Sequence, residues 1–457
     1  MRLPQHFYEY FRGVFSAVLI FSIFLSGFPA PAYARAANMN LIRDEEIETY
    51  LKEWTKDIVK AAGMSPEQVN IILVQSPDVN AFVAGGANVF IHTGLIMKTT
   101  DPGEVVAVIA HELGHIAGGH LTRTRDVMET ASYEAIVATL LGLGAALASG
   151  DGGAAAAGAA IGQSQAMSSF MAFSRVQESS ADQAGLRFME GAQVNPTGIV
   201  TFLNKLSSEE LLPTSQQSQF MRSHPLSRDR IDILKSKVES SPLDNKPLPA
   251  EWNDQYQRTK AKLMGFVTPQ QVTYNYKSAD NGIPSLYARA IAAYRMSHLN
   301  EALTLTNQLL AKEPNNPYFL ELKGQMLYEF GKAKESLSPY EKALAAKPSA
   351  GLIRIAYAQS LIDSAGKSPP MLDKAIEQLK RAQLDEPRTS RVKRLLATAY
   401  GKKGDEVRAR VYLAEEALMQ GRKSQAVSMA KSAMAGLPKN SPEYLRAQDV
   451  VASVDGL

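Results

Sequence analysis

Apolar positions along this chain recur in different rhythms, and each change of rhythm marks a change of element. From Asn40 to about Gly63, Ile42, Ile47, Leu51, Trp54 and Ile58 fall at near-helical spacing and predict an amphipathic helix. Short β-like runs follow at Val69 to Val74, Ala81 to Ala84 and Val89 to Ile91, with Gly85-Gly86 as a turn between the last two. A long apolar helix then opens at Asp101-Pro102, the acid as cap and the proline in the first turn, and runs through His111 and His115. Residues 131–173 break the rhythm: they are rich in Ala, Gly and Met around Gly150-Asp151-Gly152-Gly153. Their apolar part, Ile136 to Ala148, is too short to span a bilayer. The stretch reads either as a mobile or surface-inserting excursion or as a small-residue helical hairpin packed on the domain. Helical patterning resumes near Phe173, continues past Phe188 and returns at Thr197 to Leu206.

Beyond about residue 283 the rhythm becomes a repeat. A 34-residue period aligns Ala290, Gly324 and Ala358 at one position and Pro314 with Pro348 at another. Gly331 and Gly404 mark helix–helix turns, while Ala302, Ser336, Ala375 and Ala409 take the small-residue site of the second helix. Small residues there let paired helices approach closely, as in tetratricopeptide repeats (TPR). An insertion at Lys367-Ser368-Pro369-Pro370 delays Pro387, a degenerate unit runs through Gly421, Ala426 and Pro438, and a helix from Ser441 is expected to cap the stack. The predicted fold is an α+β domain, mostly helical with a small edge-stranded sheet, over residues 35–239. A connecting segment with one helix covers 240–282, and an all-α TPR superhelix covers 283–457.

Composition narrows the partners. The 457 residues are 45% hydrophobic and 21% charged with a net charge of +3, which is ordinary for a globular protein. No basic block with interleaved aromatics occurs, so nucleic acid is not an expected partner. Arg2 and Arg12 flank a start followed by an apolar run from Val14 to Phe28, Gly27 and Pro29 close it, and Ala32 and Ala34 suit a signal peptidase. Residues 1–34 are therefore expected to be a cleaved export signal. The apolar core of about 15 residues falls short of the roughly 20 that an uncleaved spanning anchor needs. There are no cysteines, so any metal must be held by histidines and carboxylates.

The chemistry concentrates in His111-Glu112-Leu113-Gly114-His115. On a helix, positions four apart share a face at about 6 Å, so both imidazoles can point at one ion. Glu112 stands beside them, where a carboxylate can take a proton from a metal-activated water and pass it on. A third ligand is required. The continuation to Gly118 and His120 approximates a metzincin pattern, but Leu121 stands where that pattern needs histidine, so His120 reads as a helix-end or surface residue. Glu178 is the better candidate, with Asp182 one turn later to hydrogen-bond a ligating imidazole. His224, followed by Pro225, is locally a lone histidine in an extended segment.

Taken together, Asn80-Ala81-Phe82, Gly85-Gly86, Thr93-Gly94-Leu95, His111 to His115, Glu178 to Asp182 and His224-Pro225 to Arg230 carry a family resemblance. The chain resembles the gluzincin metallopeptidases of the HtpX and CAAX-prenyl-protease superfamily, and in particular their periplasmic, TPR-bearing members of BepA type. The resemblance implies one zinc ion per chain on His111, His115 and Glu178, with Glu112 as base. It implies that His224 lies near the metal, as an extra ligand or a transition-state stabiliser, with Arg230 as a structural partner. It also implies that the strand around Val89 to Ile91 is an edge that receives substrate backbone, with Gly86, Asn88, Val89 and Phe90 at the contact. The activity implied is endopeptidase cleavage of unfolded or misassembled exported proteins in the periplasm, in outer-membrane protein quality control. The TPR array would engage the outer-membrane assembly machinery. Residues 131–173 take the place of a loop near the zinc and are expected to shield it, or to touch a membrane surface. The rival reading is a TPR chaperone or scaffold with a latent metal site, against which Glu112 argues, because a structural ion has no use for it.

Overall fold

In the computed structural model of the protein, residues 39–120, 122–123, 174–226, 228–366 and 368–455 are described. The expected signal segment 1–34 and the whole 131–173 excursion lie outside them. The N-terminal helix, Glu45–Ala61, starts later than its apolar rhythm suggests because Asp44 caps it, accepting from the amides of Glu46 and Ile47 at 3.1 and 2.9 Å. Its Ile47, Leu51, Trp54 and Ile58 face the core.

Asn70–Val74, Ala81–Ala84 and Asn88–His92 are the long strands of a four-stranded sheet. Asn88–His92 runs parallel to Asn70–Val74, Asn88 opposite Asn70, and antiparallel to Ala81–Ala84, Phe90 opposite Phe82. This corrects the expectation that Val89 to Ile91 form an edge: that strand is paired on both sides, and Ala81–Ala84 is one of the two edges. The hairpin to Ala81–Ala84 is local and legible at Gly85-Gly86. The parallel pairing with Asn70–Val74 depends on a crossover that no local pattern announces. Val89 and Ile91 are fully buried, while Phe82 and Phe90 stack on the opposite face with ring centroids 5.0 Å apart.

The helix Pro102–Ala117 is buried along nearly its whole length, from Pro102 to His115. Asp101 caps it and Pro102 sits in its first turn, as the sequence predicts. Its apolar run Val105 to Ile109 places it in the middle of the core, with a helix at 174–191 and the helices Thr197–Leu206 and Arg228–Glu239 in the same domain.

From Ile42 onward the chain forms one compact unit. The segment 240–282 contains the helix Ala250–Val267 and, in addition, a four-residue helix Val272–Asn275. Ala250–Val267 joins the two halves: Trp252 and Tyr256 belong to the N-terminal core, and Ala261 to the core of the first repeat. The TPR superhelix follows as antiparallel pairs, beginning with Ile283–Arg295 against Leu299–Lys312 and ending with Lys423–Met434 against Pro442–Asp455. Ala302, Ser336, Ala375 and Ala409 are buried between the paired helices.

Candidate metal centre

The centre is assembled where the 174–191 helix crosses Pro102–Ala117. A Cβ on Gly114 would lie 2.5 Å from the Ala181 carbonyl oxygen, so only glycine permits this crossing. The close approach puts Glu178, about one turn before the contact, against both histidines, and Asp182, the residue after it, against His111. His111 Nε2 and His115 Nε2 are 3.0 Å apart, and Glu178 reaches them at 3.4 and 3.3 Å.

His224 completes the group. Its Nδ1 lies 3.1 Å from both Glu178 carboxylate oxygens and 3.3 Å from His111 Nε2. Phe220 stacks on its ring at 4.6 Å, a contact that the lone-histidine reading had no means of finding. The short helix that delivers it, Gln219–Ser223, is anchored to the sheet: the Phe220 amide donates to the Val79 carbonyl at 3.0 Å, and Gln219 bonds Asp78. Donor atoms of His111, His115, Glu178 and His224 all lie within 4.8 Å of one another, and all four residues are buried.

The surrounding groups hold this set in place. Asp182 accepts from His111 Nδ1 at 2.8 Å and from Arg230 Nε and Nη2 at 2.6 and 2.8 Å, and Arg230 Nη1 reaches Glu178 at 2.9 Å. Burial opposes ionisation of Asp182, yet Arg230 and His111 hold its carboxyl down at about 2. Burial likewise resists charge on Glu178, and His224, His111 and His115 together keep it well below the usual carboxylate range. Burial works against charge on His111, but Asp182 and Glu178 raise its affinity for a proton to about 10. The same negative field favours a divalent cation at Nε2.

Glu112 is 0% exposed, and neither of its carboxylate oxygens has a hydrogen-bond partner; His224 Nε2, 3.4 Å away, has none either. Buried carboxylates without partners are costly and rare in a finished interior. Three imidazoles, one carboxylate and an unsatisfied carboxylate beside them suit a nitrogen- and oxygen-liganded divalent metal such as zinc.

Of the residues named from sequence, His111, His115, Glu178, His224, Glu112, Asp182 and Arg230 thus come together. Asn88, Val89 and Phe90 lie on the sheet, with Val89 turned into the core, and Gly86 sits in the turn before them. His120 lies at the helix end, one of its two sequence readings, but not on the surface: it is 4% exposed, with Nδ1 3.0 Å from His115 Nδ1, and burial and His115 push its ring down to about 4. The signal that could have found it is Gly118-Gly119, which ends the helix within one turn of the motif.

A core helix carrying two imidazoles and a carboxylate, joined by a carboxylate from the 174–191 helix, has the make-up of a metallopeptidase centre. Residues 45–238 match Peptidase family M48. The chain is similar to the beta-barrel assembly-enhancing protease of Yersinia pestis, 22% identical over 418 residues, which are 90% of this chain and 84% of that one. It is also 24% identical to the beta-barrel assembly-enhancing protease of Escherichia coli K12 over 321 residues, 66% of this chain and 62% of the relative. Among solved structures, MamA of AMB-1 covers 36% of this chain and 98% of its own at a TM-score of 0.32 and 19% identity.

Proposed function

We propose that the protein is a zinc metalloendopeptidase. The observation that carries the reading is the convergence of four buried donors beside a carboxylate that no other group satisfies. His111, His115 and Glu178 would hold one zinc ion, and His224 would join them at rest. Zinc in such a site lowers the pKa of a water to about 7 and polarises a carbonyl. Glu112 would take the proton from the attacking water and deliver it to the leaving amine. When His224 is turned away from the donors, its unpartnered Nε2 would face the developing oxyanion. Arg230 keeps Asp182 and Glu178 ionised and in position.

Substrate would bind as an added strand along Ala81–Ala84, an edge of the sheet, which suits unfolded chains of any sequence. Phe82 and Phe90 form one continuous aromatic patch on that face, and Gly86 and Asn88 stand at the adjoining turn. The similarity to beta-barrel assembly-enhancing proteases supports a periplasmic setting, misassembled outer-membrane proteins as clients, and assembly machinery as the partner of the TPR array. No helix among the described residues is long and apolar enough to cross a membrane.

The burial of every donor and of Glu112 favours a second reading, a TPR chaperone or scaffold with a latent centre. Zinc content and casein cleavage of wild type and Glu112→Gln separate the two. About one zinc per chain, with cleavage reduced about 10²–10⁴-fold in the mutant, establishes the peptidase. Zinc without cleavage in either protein, and full cellular function in the mutant, establishes the scaffold. A folded protein without zinc removes both.

A further inference from the structure

The metal-motif helix ends abruptly. Gly118 is still right-handed, but Gly119 takes φ +61°, so the chain reverses and lays His120 back over the helix end. The His120 ring fills the space that a side chain at position 118 would need: a Cβ on Gly118 would lie 2.2 Å from its Nε2. On its far side the turn is pinned, with Gln177, the neighbour of Glu178, donating to the His120 carbonyl at 3.3 Å. The rings of His120 and His115 meet edge to face, centroids 4.9 Å apart and planes at 82°.

His115 directs Nε2 at the other donors, so when that nitrogen binds a cation its proton must reside on Nδ1 and needs an acceptor. The atom facing it at 3.0 Å is His120 Nδ1. Two ring nitrogens at that distance share one proton, which fixes His120 as the neutral ring protonated on Nε2. We propose that His120 is the positioning residue of His115: it accepts the Nδ1–H and so sets the tautomer and rotation of that ligand, as Asp182 does for His111 at 2.8 Å. The two ligating histidines are therefore backed differently, one by a carboxylate held by Arg230 and one by a neutral imidazole held by a Gly-Gly turn. The inference rests on the metal-binding reading above.

The test uses the full chain with zinc and with cobalt. Zinc affinity is measured by chelator competition, and ligand geometry by the visible bands of the cobalt-loaded protein. His120→Phe keeps the ring's bulk without an acceptor and is expected to weaken zinc about 10–100-fold and shift the cobalt bands. His120→Asn places an oxygen where Nδ1 lies and is expected to recover most of the affinity and the wild-type bands. Gly118→Ala displaces the ring while leaving His120 intact, and is expected to resemble His120→Phe; it carries the test with His120→Asn if the Phe variant does not fold. Wild-type affinity in His120→Phe overturns the proposal, as does equal weakening in the Phe and Asn variants, which would make the ring mere packing. Absence of metal binding by folded wild type would instead sink the metal-binding reading on which the proposal stands.

Discussion

Two clusters of buried charge lie in this molecule, and they are built on opposite rules. At the junction of the peptidase domain and the repeats, the ammonium of Lys262 bonds Asp44 at 2.8 Å and Glu46 at 3.1 Å. Glu46 in turn accepts from the hydroxyls of Tyr50 and Tyr287 at 3.1 and 2.7 Å. Anions and donors alternate there. The residual carboxyl, Glu321, is pushed up to about 8 by burial against the pull of Lys262, so it is uncharged at neutral pH and its unpartnered Oε2 costs less. At the metal centre, by contrast, lone pairs face lone pairs: His111, His115, Glu178 and His224 crowd together, and neither Glu112 carboxylate oxygen has a hydrogen-bond partner. A balanced cluster joins elements, whereas a cluster that leaves acceptors unsatisfied calls for a cation and has a base to spare.

The largest effect on stability should come from breaking the balanced cluster. Lys262→Ala strands Asp44 and Glu46 and is expected to destabilise by about 3–5 kcal/mol in urea denaturation. Lys262→Met with Glu46→Gln should restore much of that loss, and failure to do so would mean that the cluster is not a self-contained ion pair. A smaller effect is expected from Gly114→Ala, whose new methyl meets Ala181 backbone: about 1–3 kcal/mol of strain, with weaker metal binding as Glu178 is pushed away. Undisturbed metal affinity in that variant would show that the crossing does not set the centre.

The junction should also show a pH dependence. Glu321 moves from an ordinary 4.5 to about 8 on folding, so between those values the folded chain keeps a proton that the unfolded chain has lost. This contribution is present in full below pH 4.5 and is lost as pH rises through 8. Glu321→Gln should flatten the difference between urea midpoints at pH 5 and pH 8.5. Asp182, held at about 2, has the opposite sign and matters only as pH falls below 3.8.

How much of this was legible follows from the range of the signals. The strand Ala81–Ala84 and the helix Thr197–Leu206 are read with their observed limits, because their periodicity and flanking turns are local. The set His111, Glu112, His115 was visible as spacing on one helix, and Glu178 with Asp182 as spacing on another. Their meeting depends on Gly114 against Ala181, which looks unremarkable as sequence. The edge strand was misplaced because strand order is a long-range property. His120 was read as a helix-end or surface residue; its burial against His115 is made by a reversal at Gly119 and not by a periodic position. Lys262 attracted no notice, since one lysine in an amphipathic helix gives no sign that three carboxylates will surround it.

The anchoring of the Gln219–Ser223 helix to Val79 has a mechanical consequence. Val79 and Asn80 lead directly into the edge strand, and the backbone of Val79 is also the point from which the His224 helix hangs. A polypeptide adding itself to Ala81–Ala84 would load the same stretch of chain that holds His224 over the donors. Under the proposed function, occupancy of the edge and exposure of the metal would thus be geared together, so that a client chain would itself turn the key to the site that cuts it.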